Sequence, residues 1–160
     1  KKGLVGACFS SIEKPLSQCA SVLLGHMDYV LVCSPDFKKK YFSTNQHRKS
    51  LLNAPAVIFD KNDKLHADYL HKFFAINEKH GSCHMIPSVR GFRSFALKGY
   101  AYALVPALDI KKEIKQKKLV NVFKDKVWKM PIYFHSWNMY SREYQQFYQK
   151  LMTQVRQKLK

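Results

Sequence analysis

The sequence predicts an α/β fold, and three observations lead to this prediction. Short apolar runs of the kind found in strands alternate along the 160 residues with segments whose apolar residues recur at helical spacing. Residues 83–106 contain a complete strand–helix–strand unit, which is typical of parallel sheets. The hydrophobic fraction of 46% is that of a globular protein rather than a disordered one. We therefore expect a globular α/β architecture with a mainly parallel sheet.

The first half of the chain predicts three strands and three helical segments. A β-rich apolar run over residues 29–32 marks the second strand. Ser34 can cap the helix that follows, and Pro35 suits the first position of that helix. Asn62 or Asp63 can cap a later helix in the same way. In order, the segments are strand 4–9, strand 26–33, a helix from 35, a helical turn within 45–53, strand 55–59 and a helix ending at 74.

The second half predicts four more strands and three more helices. Ser88 can cap a helix whose residues Phe92 and Phe95 share one face, and Gly99 stands where a helix prefers a left-handed residue. The closing helix, capped by Ser141, has an apolar stripe at helical spacing that we assign to the core. The stripe consists of Tyr144, Phe147, Tyr148, Leu151, Met152, Val155 and Leu159. The other segments are strands 83–87, 101–105, 119–123 and 130–137 and an amphipathic helix over 107–116.

The net charge of +17 would attract nucleic acid or an anionic membrane surface. The lysines are spread over residues 38–40, residues 111–129 and the last helix. No zinc-finger, homeodomain or RNA-recognition pattern accompanies them. We therefore favour a solvated basic surface over a nucleic-acid groove.

No targeting or membrane-spanning segment is visible in the sequence. No apolar run reaches spanning length, and the N-terminus lacks the long apolar stretch of a signal peptide. The four cysteines, Cys8, Cys19, Cys33 and Cys83, show no C-x-x-C spacing, so we expect reduced thiols in a cytoplasmic protein with no membrane partner. Because the chain lacks an initiator Met and enters a strand almost at once, we expect it to begin partway through a longer protein.

The sequence gives no motif for catalysis or metal binding. His80, Cys83 and His84 lie close together, but a strand directs Cys83 and His84 to opposite faces, and no second Cys/His pair completes a zinc set. No cysteine has the surroundings of a nucleophile, and no G-x-S-x-G, H-E-x-x-H, P-loop or G-x-G-x-x-G pattern occurs. We therefore expect no metal, no cofactor and no enzyme activity.

The candidate binding residues follow the carboxyl ends of the predicted strands, where ligands bind in open α/β sheets. The start of the helix at Ser88 favours an anion such as a carboxylate. Asp60, with Asp63 nearby, could pair with an ammonium or guanidinium group. These features suit a zwitterionic or basic amino acid, although residues 60–63 are explained at least as well as a turn with a helix cap. The candidate residues are Ser10, Ser11, Phe59, Asp60, Asp63, Ser88 and Val89.

The order of the segments resembles the effector-binding domain of LysR-type transcriptional regulators. It is most similar to the branch described both as an inhibitor of chromosome initiation and as the arginine- and lysine-responsive activator of arginine export. The resemblance covers nearly the whole chain. It is carried by Gly6-Ala7, Asp28-Tyr29 with the strand over 30–34, Lys40-Tyr41-Phe42, Leu51-Leu52-Asn53-Ala54-Pro55, Phe59-Asp60, Cys83-His84, the helix over 92–99, Val105-Pro106 and Tyr133-Phe134-His135.

The resemblance implies a type II periplasmic-binding-protein-like fold with two α/β lobes joined by two crossing strands. Residues 1–27 and 132–160 would form an incomplete lobe I, and residues 28–131 would form lobe II. The effector, lysine or arginine, would bind between the lobes. A homodimer or higher homo-oligomer is implied. DNA would be bound only through a winged helix-turn-helix domain that this chain lacks.

Two other classes of protein remain open on the sequence. A solute-binding protein of a transporter shares the implied fold, and it predicts a signal peptide in the full gene. A basic module that binds nucleic acid directly would account for the charge, and it predicts salt-dependent binding by this chain alone.

Overall fold

The computed structural model describes residues 5–77, 81–138 and 141–159. Leu4 of the first predicted strand and His80 of the metal candidates lie outside these residues. The described residues form seven strands and six helices, and none of these helices is long and apolar enough to cross a membrane. In chain order they are β1 (Ala7–Ser10), β2 (Cys19–Cys33), α1 (Pro35–Tyr41), α2 (His47–Asn53), β3 (Ala56–Ile58), α3 (Lys64–Phe74), β4 (Cys83–Met85), α4 (Val89–Leu97), β5 (Tyr102–Pro106), a 3-10 helix (Ala107–Ile110), α5 (Lys111–Lys115), β6 (Val120–Asn121), β7 (Trp128–Trp137) and α6 (Arg142–Arg156).

The chain divides into two compact units. Unit 1 consists of Lys1–Asp28 and Lys129–Lys160, and unit 2 consists of Tyr29–Trp128. Strand β2 therefore begins in unit 1 and ends in unit 2, and the chain returns to unit 1 at the start of β7. The assignment of residues 1–27 and 132–160 to lobe I and of residues 28–131 to lobe II stays a prediction.

The sheet of unit 2 is parallel only at one side, over β5, β3 and β4. Strand β3 pairs in parallel with β4 and with β5, so it lies between the two strands of the predicted strand–helix–strand unit. Strand β2 pairs antiparallel with β5 and with β6. The expectation of a mainly parallel sheet is therefore wrong outside β3, β4 and β5. A continuous apolar run such as that of β2 shows that both faces of a strand are buried, but it does not show the direction of pairing.

Helices cover both faces of the unit 2 sheet. Successive residues of a strand point to opposite faces. Leu31 and Tyr102 accordingly pack in a core that includes side chains of α1, α2 and α3. Val32 and Ala103 pack in a second core with α4 and the 3-10 helix. Burial on both faces explains why β5 and residues 29–33 of β2 have no polar alternation in the sequence.

Three helix caps of unit 2 form as the sequence predicts. Ser34 caps α1, Asp63 caps α3 and Ser88 caps α4. In each, a side-chain oxygen accepts a hydrogen bond from the backbone N–H three residues later, at 3.2 Å for Ser34 and Ser88 and at 3.3 Å for Asp63. These bonds satisfy donors that the first turn of a helix otherwise leaves free.

Helices α4 and α5 end in the same hydrogen-bond pattern, with different residues at the left-handed position. In α4 this residue is Gly99, with φ of 71°, as predicted. In α5 it is Lys117, with φ of 57°. The Lys117 N–H donates to the Ile114 carbonyl and the following N–H donates to the Glu113 carbonyl, which is a Schellman motif. A side chain in this region costs about 1–2 kcal/mol, so the end of α5 is strained.

Replacing Lys117 by glycine should therefore stabilise the protein. We expect Lys117→Gly to raise the free energy of unfolding by roughly 0.5–1 kcal/mol, because the relief of strain exceeds the larger backbone entropy that glycine loses on folding. Gly99→Ala is the matched opposite. It should lower the free energy of unfolding, since a Cβ there also comes within 3.0 Å of Ser34 Oγ. Urea denaturation measures both changes, and a Lys117→Gly protein less stable than wild type contradicts the interpretation.

Unit 1 contains the strands β1, β7 and the first part of β2, in that order, with β1 antiparallel to β7. Helix α6 packs on one face of this sheet. Its residues Tyr148 and Met152 form a buried cluster with Leu24 and Phe134. The assignment of the whole α6 stripe to the core is wrong for Tyr144 and Phe147, which are each 59% exposed. The stripe spans a wider arc of the helix than the sheet in this unit covers.

Several predicted boundaries differ from those observed. Strand β2 begins at Cys19 instead of residue 26, because it continues through Gly25, whose φ of 153° is open to glycine. The helix predicted over 107–116 is divided into the 3-10 helix and α5. The strand predicted over 119–123 shortens to β6. At the predicted cap of α6, the Ser141 hydroxyl bonds the Glu143 carboxylate instead of a backbone amide.

Candidate functional site

Unit 2 brings the candidate residues that follow β3 and β4 to one edge of its sheet. The carboxyl ends of the parallel strands β3, β4 and β5 lie at the same edge, where α/β sheets bind ligands. Asp60 follows β3, Ser88 follows β4 and Asp109 follows β5. Tyr29 reaches this edge from β2, since it pairs with Pro106 at the end of β5.

The loop after β3 is held in place by its own aspartates. Asp63 Oδ2 accepts a hydrogen bond from the Phe59 N–H at 2.9 Å, and Asp63 Oδ1 accepts one from the His66 N–H at 3.3 Å. Asp60 Oδ1 accepts from the Asn62 N–H at 2.6 Å. Asp63 therefore uses both oxygens to fix the loop, which is the structural role that the sequence left open. Asp60 is exposed, and among the described residues no donor bonds its Oδ2.

A cavity of about 740 Å³ lies beside this loop, between α3 and β4. The polar residues that line it include three aspartates, Asp60, Asp63 and Asp68, together with Lys61, His66 and His71. Three of the eleven acidic residues of a chain with net charge +17 thus line one cavity. The volume is within the usual range for small-molecule sites, and the charge favours a cation.

Ser88 and Val89 do not line the acidic cavity. The Ser88 hydroxyl oxygen accepts a hydrogen bond from the Gly91 N–H, as a helix cap. Val89 lines a second cavity of about 280 Å³, together with Arg90, Arg93 and Asp109. The structure therefore places Asp60 and Ser88 at one sheet edge without placing them in one cavity of unit 2.

Ser10 and Ser11 belong to unit 1, at the end of β1 and directly after it. The Ser10 hydroxyl oxygen accepts a hydrogen bond from the Ile12 N–H at 3.0 Å. Ser11 is exposed. Their contribution to effector binding stays a prediction.

Tyr29 and Asp109 lie at the candidate edge of unit 2 and were not among the predicted site residues. Burial raises the pKa of the Tyr29 hydroxyl, and the negative charges of Asp109 and Asp63 raise it further. Tyr29 therefore stays protonated and can donate a hydrogen bond at this edge. The signal in the sequence is weak, because Tyr29 reads as one more aromatic residue of a buried strand.

The two cysteines of unit 2, Cys33 and Cys83, are free thiols. Cys33 is buried, and desolvation raises the pKa of its thiol to about 12, so it is inert at neutral pH. Cys83 packs with the α3 core while His84 contacts Phe95 of α4, which confirms that they point to opposite faces. Among the residues that the structure describes, no three His, Cys, Asp or Glu side chains are grouped to hold a metal ion.

The chain is similar in sequence to known regulators, although no protein-family model matches it. It is 36% identical to the HTH-type transcriptional regulator ArgP of Vibrio cholerae over 139 residues, which are 87% of this chain and 47% of that protein. The chain spans about half the length of the curated relatives that it matches. Those relatives carry the names of regulators and not of enzymes.

Solved structures of LysR proteins share the fold of this chain. The C-terminal domains of a LysR family protein from Agrobacterium tumefaciens match with a TM-score of 0.76 and 25% identity, over 82% of this chain and 63% of that one. Full-length LysG of Corynebacterium glutamicum, solved with its effector arginine bound, matches with a TM-score of 0.80 and 19% identity, over 94% and 51%. These matches confirm the predicted type II periplasmic-binding-protein-like fold.

Proposed function

Because this chain belongs to the LysR family of transcriptional regulators, we propose that it is the part of such a regulator that senses a small molecule. The effector is a basic amino acid, lysine or arginine. Two findings support this choice. The chain has ArgP regulators among its relatives, and LysG, which shares its fold, was solved with arginine as its effector.

The acidic cavity beside Asp60 is the observation that carries the proposal. A free basic amino acid has a cationic side chain and an α-carboxylate, so it needs both a carboxylate and an anion-binding group. Asp60 supplies the carboxylate through Oδ2, and Asp63 holds the loop in position by its two bonds to backbone amides. The free N–H groups at the start of α4, beside Ser88, suit the α-carboxylate. They lie at the same sheet edge but outside the acidic cavity, so the proposed effector extends along this edge from Asp60 to the start of α4.

Effector binding controls transcription by a shift between two conformations of the regulator. An effector that binds one conformation better than the other increases its population in proportion to the difference in affinity. Homodimer or higher homo-oligomer contacts then transmit the change to winged helix-turn-helix domains that recognise the operator sequence. The residues of this chain bind and orient the effector and carry out no catalysis, and the regulator acts in the cytoplasm.

Isothermal titration calorimetry of the protein with L-lysine and L-arginine tests the proposed function. We expect heat of binding with at least one of them and none with L-glutamate at the same concentration. L-Glutamate shares the α-amino and α-carboxyl groups, so it controls for binding that ignores the side chain. The absence of heat with both basic amino acids, in a protein with an intact far-UV circular dichroism spectrum, contradicts the proposal.

A further inference from the structure

The segment from Lys111 to Lys118 is the most basic part of unit 2. Five of its eight residues are lysines: Lys111, Lys112, Lys115, Lys117 and Lys118. All five are exposed, and we call them the lysine surface. The proposed effector site uses none of them, and a cationic effector does not explain them.

The one acidic residue of this segment, Glu113, does not neutralise the lysine surface. Glu113 is only 4% exposed, and its carboxylate pairs with Arg93 of α4. Its own backbone N–H, and then Arg93, hold the pKa of this carboxyl below its usual value, so the pair stays ionised. Among the described residues no lysine of this surface forms an ion pair with a carboxylate. The outward charge of the segment is therefore entirely positive.

Lys117 adds an observation that is independent of the charge. It occupies the left-handed position of a Schellman motif, where glycine would be free of the steric strain. Helix α4 has Gly99 at the equivalent position. Among the described residues Lys117 forms no ion pair that offsets this strain, which is consistent with a side chain that acts on a partner.

The lysine surface has the chemistry of a site for a duplex phosphate backbone. It has no aromatic ring on which an unpaired base could stack, and Ile114 is its only exposed large apolar residue, which is too little to insert into a membrane. Lys111 and Lys115 are separated by about 6 Å along the helix axis. A DNA strand carries one phosphate per about 3.4 Å of axis, so both lysines can reach neighbouring phosphates.

We propose that the lysine surface of α5 and its C-terminal turn binds the phosphate backbone of duplex DNA without reading its sequence. The contact goes beyond the proposed function, since it shares no residue with the effector site. It would hold the sensing part of the regulator against DNA next to the operator. Its test uses no effector, so its failure and the failure of effector sensing can be distinguished.

Fluorescence anisotropy with a labelled 30-base-pair duplex of arbitrary sequence, at several salt concentrations, tests this inference. Neutralising Lys111, Lys115, Lys117 and Lys118 together to glutamine should weaken binding at low salt at least tenfold. It should also reduce the slope of log K against log salt by about 3 to 4, near one unit for each phosphate that a lysine no longer neutralises. Single-stranded RNA of the same length should bind less tightly than the duplex.

A second variant with the same net charge is the control. It carries glutamine at Lys39 of α1, Lys64 of α3, Lys150 of α6 and Lys98, the residue directly after α4, all of which are exposed. We expect it to keep most of the affinity and of the salt dependence. An equal loss in both variants shows that only net charge matters and overturns the site. Undetectable duplex binding by the wild-type protein, or tighter binding to RNA or to anionic phosphatidylserine vesicles, also overturns it.

Discussion

Asp60→Asn should lower the affinity for L-arginine and L-lysine by about 10- to 100-fold, which is the usual value of a hydrogen bond between charged groups. Asparagine keeps the size of the side chain and can still accept the hydrogen bond from the Asn62 N–H, so the loop should survive the change. What the variant loses is the negative charge on the oxygen that would meet the cationic side chain. Calorimetric titration of the variant beside the wild type measures the loss.

Two further aspartate variants serve as controls for Asp60→Asn. Asp36→Asn removes an exposed carboxylate on α1, away from the cavity, and should leave the affinity unchanged. Asp63→Asn removes the charge of the group that caps α3 and holds the Phe59 amide, so we expect a loss of stability as well as of affinity. An Asp60→Asn protein that binds both amino acids as tightly as the wild type would remove Asp60 from the site.

Leu31→Ala should lower the free energy of unfolding by about 3 to 5 kcal/mol, the cost of a cavity in a rigid core. Leu31 is fully buried in β2 and packs in the core shared with α1, α2 and α3. It pairs with Leu104 of β5, and its carbonyl accepts the Val122 N–H, so neighbours on both sides hold it in place. Such a site cannot collapse around the missing atoms, which places the cost near the upper end of the range.

Leu23→Ala is the matched control for Leu31→Ala, because the same change is made on the same strand. Leu23 is 45% exposed, so its truncation should cost less than about 1 kcal/mol. Urea denaturation measures both costs, and the unfolding free energy should depend on urea concentration with the same slope in the two variants. Because strand propensity changes equally in both, the difference in cost reports burial. Similar costs for the two changes would mean that the core of unit 2 is not packed as described.

The sequence was most informative where a single residue type decides the local structure. Ser34, Asp63 and Ser88 are small side chains with an oxygen that can reach an amide one turn away, and all three cap helices. Gly99 is the residue with the lowest cost in the left-handed region, and it ends α4. Each of these predictions depends on interactions within about one helical turn, so no knowledge of the tertiary fold was needed.

Features that depend on distant parts of the chain could not be predicted in this way. The antiparallel pairing of β2 with β5 joins segments more than seventy residues apart, and the apolar run of β2 suits either direction. The exposure of Tyr144 depends on how much of α6 the sheet covers, which periodicity does not show. Lys117 has a positive φ although a residue with a side chain prefers a negative one, and such departures from local preference occur at functional positions.

Only part of the candidate site could be predicted, because its cavities also depend on distant parts of the chain. The rule that ligands bind at the carboxyl ends of parallel strands located Asp60 and Ser88 at one edge. The rule does not say which cavity each residue lines, and in unit 2 the two residues do not share one. Asp109 was missed because its approach to Tyr29 follows from the pairing of β2 with β5 and not from local sequence.

Recognition of a cationic effector by Asp60 can be tested by comparing L-arginine with L-citrulline in the wild-type protein and in Asp60→Asn. L-Citrulline has nearly the same shape as L-arginine and no side-chain charge. We expect the wild type to bind arginine at least tenfold more tightly than citrulline by calorimetry, because Asp60 recognises the charge. The Asp60→Asn variant should lose most of this preference. A preference for arginine that survives unchanged in Asp60→Asn would contradict the central claim that this carboxylate recognises a cationic effector.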